Sequence, residues 1–174
     1  IWYSMDKDKE FLNKYWQEYE NLIIKGRDDK KIISFRDAIK ETIKTNGKLY
    51  FVGNGASASL CSHAATDFTK QAKIESHAFN DHNLITALAN DYGYENWVSK
   101  AIEYYVKPCD RVIFISVSGN SPNLVNGLKY AKKEKVTPLL FNSIIHEQHA
   151  DFHYPKTKHE SNNEFNYNTI IQTV

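Results

Sequence analysis

Lys48-Leu-Tyr-Phe-Val-Gly-Asn-Gly-Ala-Ser57 and Arg111-Val-Ile-Phe-Ile-Ser-Val-Ser-Gly-Asn-Ser-Pro122 decide the fold. Each is a short β-rich run that breaks into a turn of Gly, Asn and Ser. An Ala- and Ser-rich helix follows the first, to about Lys70, and another follows the second, to about Glu134. Between them the pattern predicts a strand near Glu75 to Phe79, a helix near Asn83 to Ala89 and a helix from Tyr94 to Val106. Thr137 to Phe141 reads as a further strand and Asp151 to Tyr154 as a last one. The Asn-rich stretch Glu160 to Asn168 leads into a final helix from about Asn163. Strands alternating with helices mean an α/β fold, a parallel sheet with helices on both faces.

Upstream of this unit the spacing predicts two helices. In the first, Leu12, Tyr15, Trp16, Tyr19, Leu22 and Ile23 form a wide apolar stripe, covered by the domain itself or by a partner subunit. The second runs from about Lys31 to Thr45, with Ile32, Phe35, Ile39 and Ile43 inward, and ends at Asn46-Gly47.

The chain has 174 residues, 41% of them hydrophobic, enough for one domain with a real core. Lys and Arg number 22 against 21 Asp and Glu, so no general field draws it to nucleic acid or to a membrane surface. Cys61 and Cys109 stand far apart and read as reduced thiols. The longest uncharged run, Val112 to Leu128, is too broken by polar residues to span a bilayer. No signal peptide is visible before the expected start at Met5, and the expected compartment is the cytoplasm.

Ligands of open parallel sheets bind beyond the carboxyl ends of the strands. Gly53-Asn-Gly-Ala-Ser57 lets backbone approach a ligand, and Ser116-Val-Ser-Gly-Asn-Ser121 surrounds a helix start with hydroxyls and amides. Such a turn cradles phosphate without Lys or Arg. The first turn also fits a loose dinucleotide pattern, with Glu75 as the ribose-binding acid of a nucleotide-dependent dehydrogenase. His63 and Asp67, four apart, share a helix face. His146, His149 and His153 read as loop residues, and Trp97, Tyr104 and Tyr105 as packing.

Phe51-Val-Gly-Asn-Gly-Ala-Ser-Ala-Ser59, then His63 and Asp67, Asn90-Asp91-Tyr92-Gly93-Tyr94, and Ile115-Ser-Val-Ser-Gly-Asn-Ser121 together resemble the sugar isomerase (SIS) domain family. The likeness is greatest to its phosphoheptose isomerase branch, which interconverts sedoheptulose 7-phosphate and a D-glycero-manno-heptose 7-phosphate. It implies a three-layer αβα sandwich around a five-stranded parallel sheet. It also implies one domain over residues 1–174, with helices 1–46 used in a homo-oligomer (tetramer or dimer) and 47–174 as the core.

On this resemblance Ser116, Ser118 and Ser121 hold a sugar phosphate, and Gly119 and Asn120 shape their turn. Asn54, Gly55 and Ser57 face the sugar and Asp91 lies near its hydroxyls. Asp67, where the family has Glu, is the expected base, with His63 its acid–base partner. Some members bind zinc there, which makes His63 and Asp67 candidate ligands. The family's last helix carries Q-E-x-H-x-x-x-x-H. Gapless alignment puts Asn166 at the Gln, a substrate contact, and Thr169 and Val174 at the histidines. The resemblance implies an isomerase feeding surface polysaccharide synthesis; the alternative is a non-catalytic SIS module that binds a phosphosugar or a protein.

Overall fold

The computed structural model describes residues 5–21 and 28–142, and the backbone pair 164–165. In chain order the elements are α1 (Met5–Glu20), α2 (Asp29–Lys44), β1 (Leu49–Gly53), α3 (Ala56–Lys70), β2 (Ser76–Ala78) and α4 (His82–Tyr92). There follow α5 (Trp97–Tyr105), β3 (Arg111–Ser116), α6 (Pro122–Lys133), β4 (Thr137–Asn142) and β5 (Glu164–Phe165). All pairings are parallel, in the order β2-β1-β3-β4-β5. The expected five-stranded sheet is thus four strands and a two-residue edge.

β1 and the Val112–Ile115 stretch of β3 are apolar and buried because helices cover both faces of the central sheet, and successive side chains point to opposite sides. Leu49, Phe51, Ile113 and Ile115 join Phe35 and Ile39 of α2 and Cys61, Ala65 and Phe68 of α3 in one core. Tyr50, Val52, Val112 and Phe114 join Trp97, Val98, Ala101 and Ile102 of α5 and Leu124 and Ala131 of α6 in the other. Each of these large side chains stabilises the fold by roughly 1.5–3 kcal/mol through its burial. Through Phe35 and Ile39, α2 packs onto the sheet within this chain.

Three expectations change. Ile43 is 50% exposed, and Thr42 takes the inward place at 2%. Its Oγ1 accepts from Arg111 Nε at 2.8 Å and donates to the Ala38 carbonyl at 3.0 Å, so the buried hydroxyl is satisfied. Tyr104 and Tyr105 lie on the surface, with the Tyr104 and Tyr92 hydroxyls 2.8 Å apart, whereas Trp97 is buried as expected. At the expected start of the final helix, Glu164 and Phe165 pair instead with Leu140 and Phe141, answering the open hydrogen-bonding edge of β4, and the rest of that expected helix lies outside the described residues. The Asp151–Tyr154 strand and His146, His149 and His153 lie outside the described residues.

Phe11, Leu12, Tyr15, Trp16 and Tyr19 of α1 are exposed, so among the described residues nothing covers this stripe. Leu22 and Ile23 lie outside the described residues. No helix among the described residues is long and apolar enough to cross a membrane.

Both cysteines are free. Cys61 is buried, which pushes its thiol up to about 12, while Cys109 is exposed. Since the thiolate is the reactive form, an aromatic disulfide reagent should titrate Cys109 alone in the native protein and both thiols in guanidinium. Rapid native reaction of both would show that α3 opens readily.

Candidate functional site

The chain leaves β1 for β2 on one side, then returns through α4 and α5 to place β3 on the other. Between β1 and β3 the winding therefore reverses, and a crevice forms beyond their carboxyl ends. In register Gly53 pairs with Ile115, so the turns 53–57 and 116–121 leave the sheet side by side.

In the first turn Gly53 has no room for a side chain. A Cβ there would lie 2.9 Å from the Ile115 carbonyl oxygen and 2.9 Å from Ser57 Cβ. Its absence lets α3 start directly against the end of the sheet. Gly55 adopts φ +54°, with open space where its Cβ would stand. Asn54 and Gly55 carbonyls accept from Ser57, Ala58 and Ser59 amides at 3.0–3.4 Å and start the helix. Ser57 is only 5% exposed.

In the second turn Ser116 Oγ accepts from the Gly119 amide at 3.0 Å and Ser118 Oγ from the Asn120 amide at 3.3 Å. Gly119, at φ +69°, makes the bend possible. Ser116, bonded in this way, accepts through a lone pair, and a hydroxyl so bonded can still donate its proton. Ser121 is the N-cap of α6 but makes no capping bond with its side chain, and Pro122 opens the helix without an N–H to lose. The turn thus carries three serines just ahead of the positive end of α6.

A pair of amides joins the turns. Asn54 Nδ2 donates to Asn123 Oδ1 at 3.0 Å and Asn123 Nδ2 to Asn54 Oδ1 at 2.9 Å. The Tyr94 hydroxyl donates to Asn54 Oδ1 at 3.4 Å. Tyr94 follows the left-handed Gly93 just beyond α4, whose last turn carries Asp91, exposed and bonded to the Asn90 amide at 3.0 Å. Asn123 and Tyr94 were not singled out in the sequence for this site; a polar residue just after Pro122, in an otherwise apolar inner stripe, is the signal for Asn123.

His63 and Asp67 meet on α3, with Nε2 and Oδ2 3.2 Å apart. They lie about 9 and 15 Å along the helix from Ser57, at 1.5 Å per residue. Glu75 is at the other end of the sheet. It precedes β2 and pairs with Lys48 and His77, so it cannot serve a ligand at the carboxyl rim, and the dinucleotide reading fails. A groove of about 480 Å³ between α3 and β2, lined by Ser62, Thr66, Thr69, Lys70, Ser76 and His77, lies at the sheet's outer edge rather than at the crevice. Asn166 lies outside the described residues.

A model of the SIS domain family matches residues 14–137, which include both turns and the His63–Asp67 pair. The chain belongs to the SIS domain family. Phosphoheptose isomerase 1 of Campylobacter jejuni is 33% identical over 133 residues, 70% of this chain and 69% of that protein. The phosphoheptose isomerase of Maridesulfovibrio salexigens is 31% identical over 141 residues, 78% of this chain and 64% of that one. Against that protein and the Trichlorobacter lovleyi one, the chain spans 64% and 58% of their lengths. The solved phosphoheptose isomerase of Francisella tularensis shares the fold, with a TM-score of 0.71 at 20% identity over 82% of this chain and 76% of that one.

Zinc sites of enzymes use three protein ligands and an open position. Among the described residues no group of three His, Cys, Asp or Glu side chains could hold a metal, and His63 and Asp67 supply two donors. These residues do not make up a zinc site.

Proposed function

We propose that this SIS protein is an aldose–ketose isomerase for a sugar phosphate, of the type that interconverts sedoheptulose 7-phosphate and D-glycero-manno-heptose 7-phosphate. The observation that carries the reading is the meeting of two turns at one crevice, a serine-lined helix start beside a glycine-bounded Asn54. The names of its relatives support the same substrate class.

In this reading the phosphate sits on Ser116, Ser118 and Ser121 at the start of α6, with Gly119 and Asn120 forming the bend. Charge-assisted hydrogen bonds and the helix dipole hold it without a cationic side chain. The sugar lies past Asn54 and Gly55 toward α3. Ser57, being buried, steadies the first turn, and Asp91 is left for a sugar hydroxyl. Asp67 takes a proton from C1 of the ketose, the electron pair becomes the C1–C2 double bond, and the C2 oxygen takes a proton from His63. The enediol then loses its O1 proton to His63, and Asp67 returns its proton to C2, leaving the aldose.

Residues 1–174 act as one domain in this proposal. The exposed aromatic stripe of α1 supports assembly into a homotetramer or dimer, and the free thiols support a cytoplasmic enzyme supplying surface polysaccharide synthesis.

The test is turnover of sedoheptulose 7-phosphate by fresh protein, with and without added zinc, alongside calorimetry. Ser118→Ala should weaken binding about tenfold or more, as for a lost hydrogen bond to a charged group. Binding without turnover would make the chain a non-catalytic phosphosugar module; no binding of any sugar phosphate would end both readings.

A further inference from the structure

Asn123 is 1% exposed, among the most buried polar side chains described, and lies on the second residue of α6. Its amide is matched to that of Asn54, 69 residues earlier, each donating to the other. A buried primary amide needs both a donor and an acceptor, and another amide supplies both in one plane. Asn54 is half-buried, and its Nδ2 carries two hydrogens, one of them used by Asn123. Its Oδ1 is shared by Asn123 and Tyr94. What Asn54 can offer a ligand is therefore one N–H, and the direction of that N–H is set by Asn123.

We infer that Asn123 is a positioning residue, which through the reciprocal amide pair holds Asn54 ready for the sugar part of the ligand. The inference rests on the reading of the crevice as a phosphosugar site. Asn123 itself touches no ligand. It removes the rotamer freedom that Asn54 would otherwise lose on binding, and it fixes the spacing of the two turns. The phosphate end, held by the serine turn, does not depend on it.

That division gives the test. Asn54→Ala, Asn123→Ala and the double variant are compared by KM and kcat for sedoheptulose 7-phosphate, by its Kd, and by the Kd of inorganic phosphate. Each single variant should raise KM and sugar-phosphate Kd about tenfold, as expected for one or two lost hydrogen bonds. The double variant should do no worse than the singles, since both remove one unit. Phosphate affinity should stay within about twofold of the parent. A merely structural role would weaken both ligands together and make the two substitutions add; either result overturns the inference.

Asn123→Asp keeps the size of the side chain and covers the case in which the alanine variant does not fold. A carboxylate accepts from Asn54 Nδ2 but opposes Asn54 Oδ1 until it is protonated. Its sugar-phosphate affinity, relative to the parent at the same pH, should be lowest near neutrality and recover as pH falls. A pH-independent ratio would count against Asn123. If the parent binds sugar phosphate without turning it over, the isomerase reading fails, and the same affinities still decide the positioning role. A parent that binds phosphate but not the sugar overturns both.

Discussion

Asp67→Asn is expected to lower kcat for sedoheptulose 7-phosphate by about 10²–10⁴, the usual contribution of a positioned base. KM should change little, because a group that acts on C1 and C2 matters in the transition state more than in substrate binding. Folding should be almost unaffected. Asp67 is partly exposed, its bond to His63 spans 3.2 Å on a helix surface, and exposed pairs of this kind contribute about 0–1 kcal/mol. In heavy water the parent should carry solvent deuterium into the product and the variant should not, since a carboxyl proton exchanges with solvent. Asp67→Glu, which restores the carboxylate length of the family, should retain turnover. A kcat for Asp67→Asn within threefold of the parent would place the base elsewhere.

The second large effect is on the frame of the site. Gly53→Ala should destabilise the fold by about 1–3 kcal/mol, the usual cost of overpacking. The new Cβ meets backbone on both sides, the Ile115 oxygen and the Ser57 carbonyl carbon, each 2.9 Å away. Neither can swing aside as a side-chain end would. The melting temperature should fall by roughly 2–4 °C for each kcal/mol in a chain of this size. Sugar-phosphate affinity should fall as well, because β1, β3 and the start of α3 must separate where the two turns leave the sheet. At Gly55 there is space for a methyl group but φ is +54°, so Gly55→Ala meets backbone strain of roughly 1–2 kcal/mol without a clash. An unchanged melting curve for Gly53→Ala would mean that the junction is looser than its geometry.

Much of the crevice is legible in the chain because its parts are local. Turn chemistry at Gly53-Asn-Gly and Ser116-Val-Ser-Gly-Asn-Ser follows an apolar run in each case, and a strand ending in such a turn needs no distant partner to be recognised. His63 and Asp67 are likewise a matter of helix period. The role of Asn123 is not legible in this way: its place in an apolar inner stripe marks it as a buried polar residue, but its partner is 69 residues away. Glu75 shows the reverse. Its distance along the chain from Gly53 fits a ribose-binding acid, but it stands before β2 rather than after it, beside Lys48. Thr42 and Ile43 compete for one inward position, and hydrophobicity alone favours Ile43. Arg111, brought there by β3, reverses the choice because it needs an oxygen acceptor.

Period and turn chemistry, then, are enough for the α/β class, the strands β1 and β3, the glycine and serine turns and the shared face of His63 and Asp67, because each depends on neighbours within a few residues. Tertiary structure alone decided that β3 lies beside β1 across the reversal of winding, that Asn54 is tied to Asn123, and that no other described element covers the α1 stripe. These are contacts between distant segments, and their free energy depends on which surfaces the packed layers bring together.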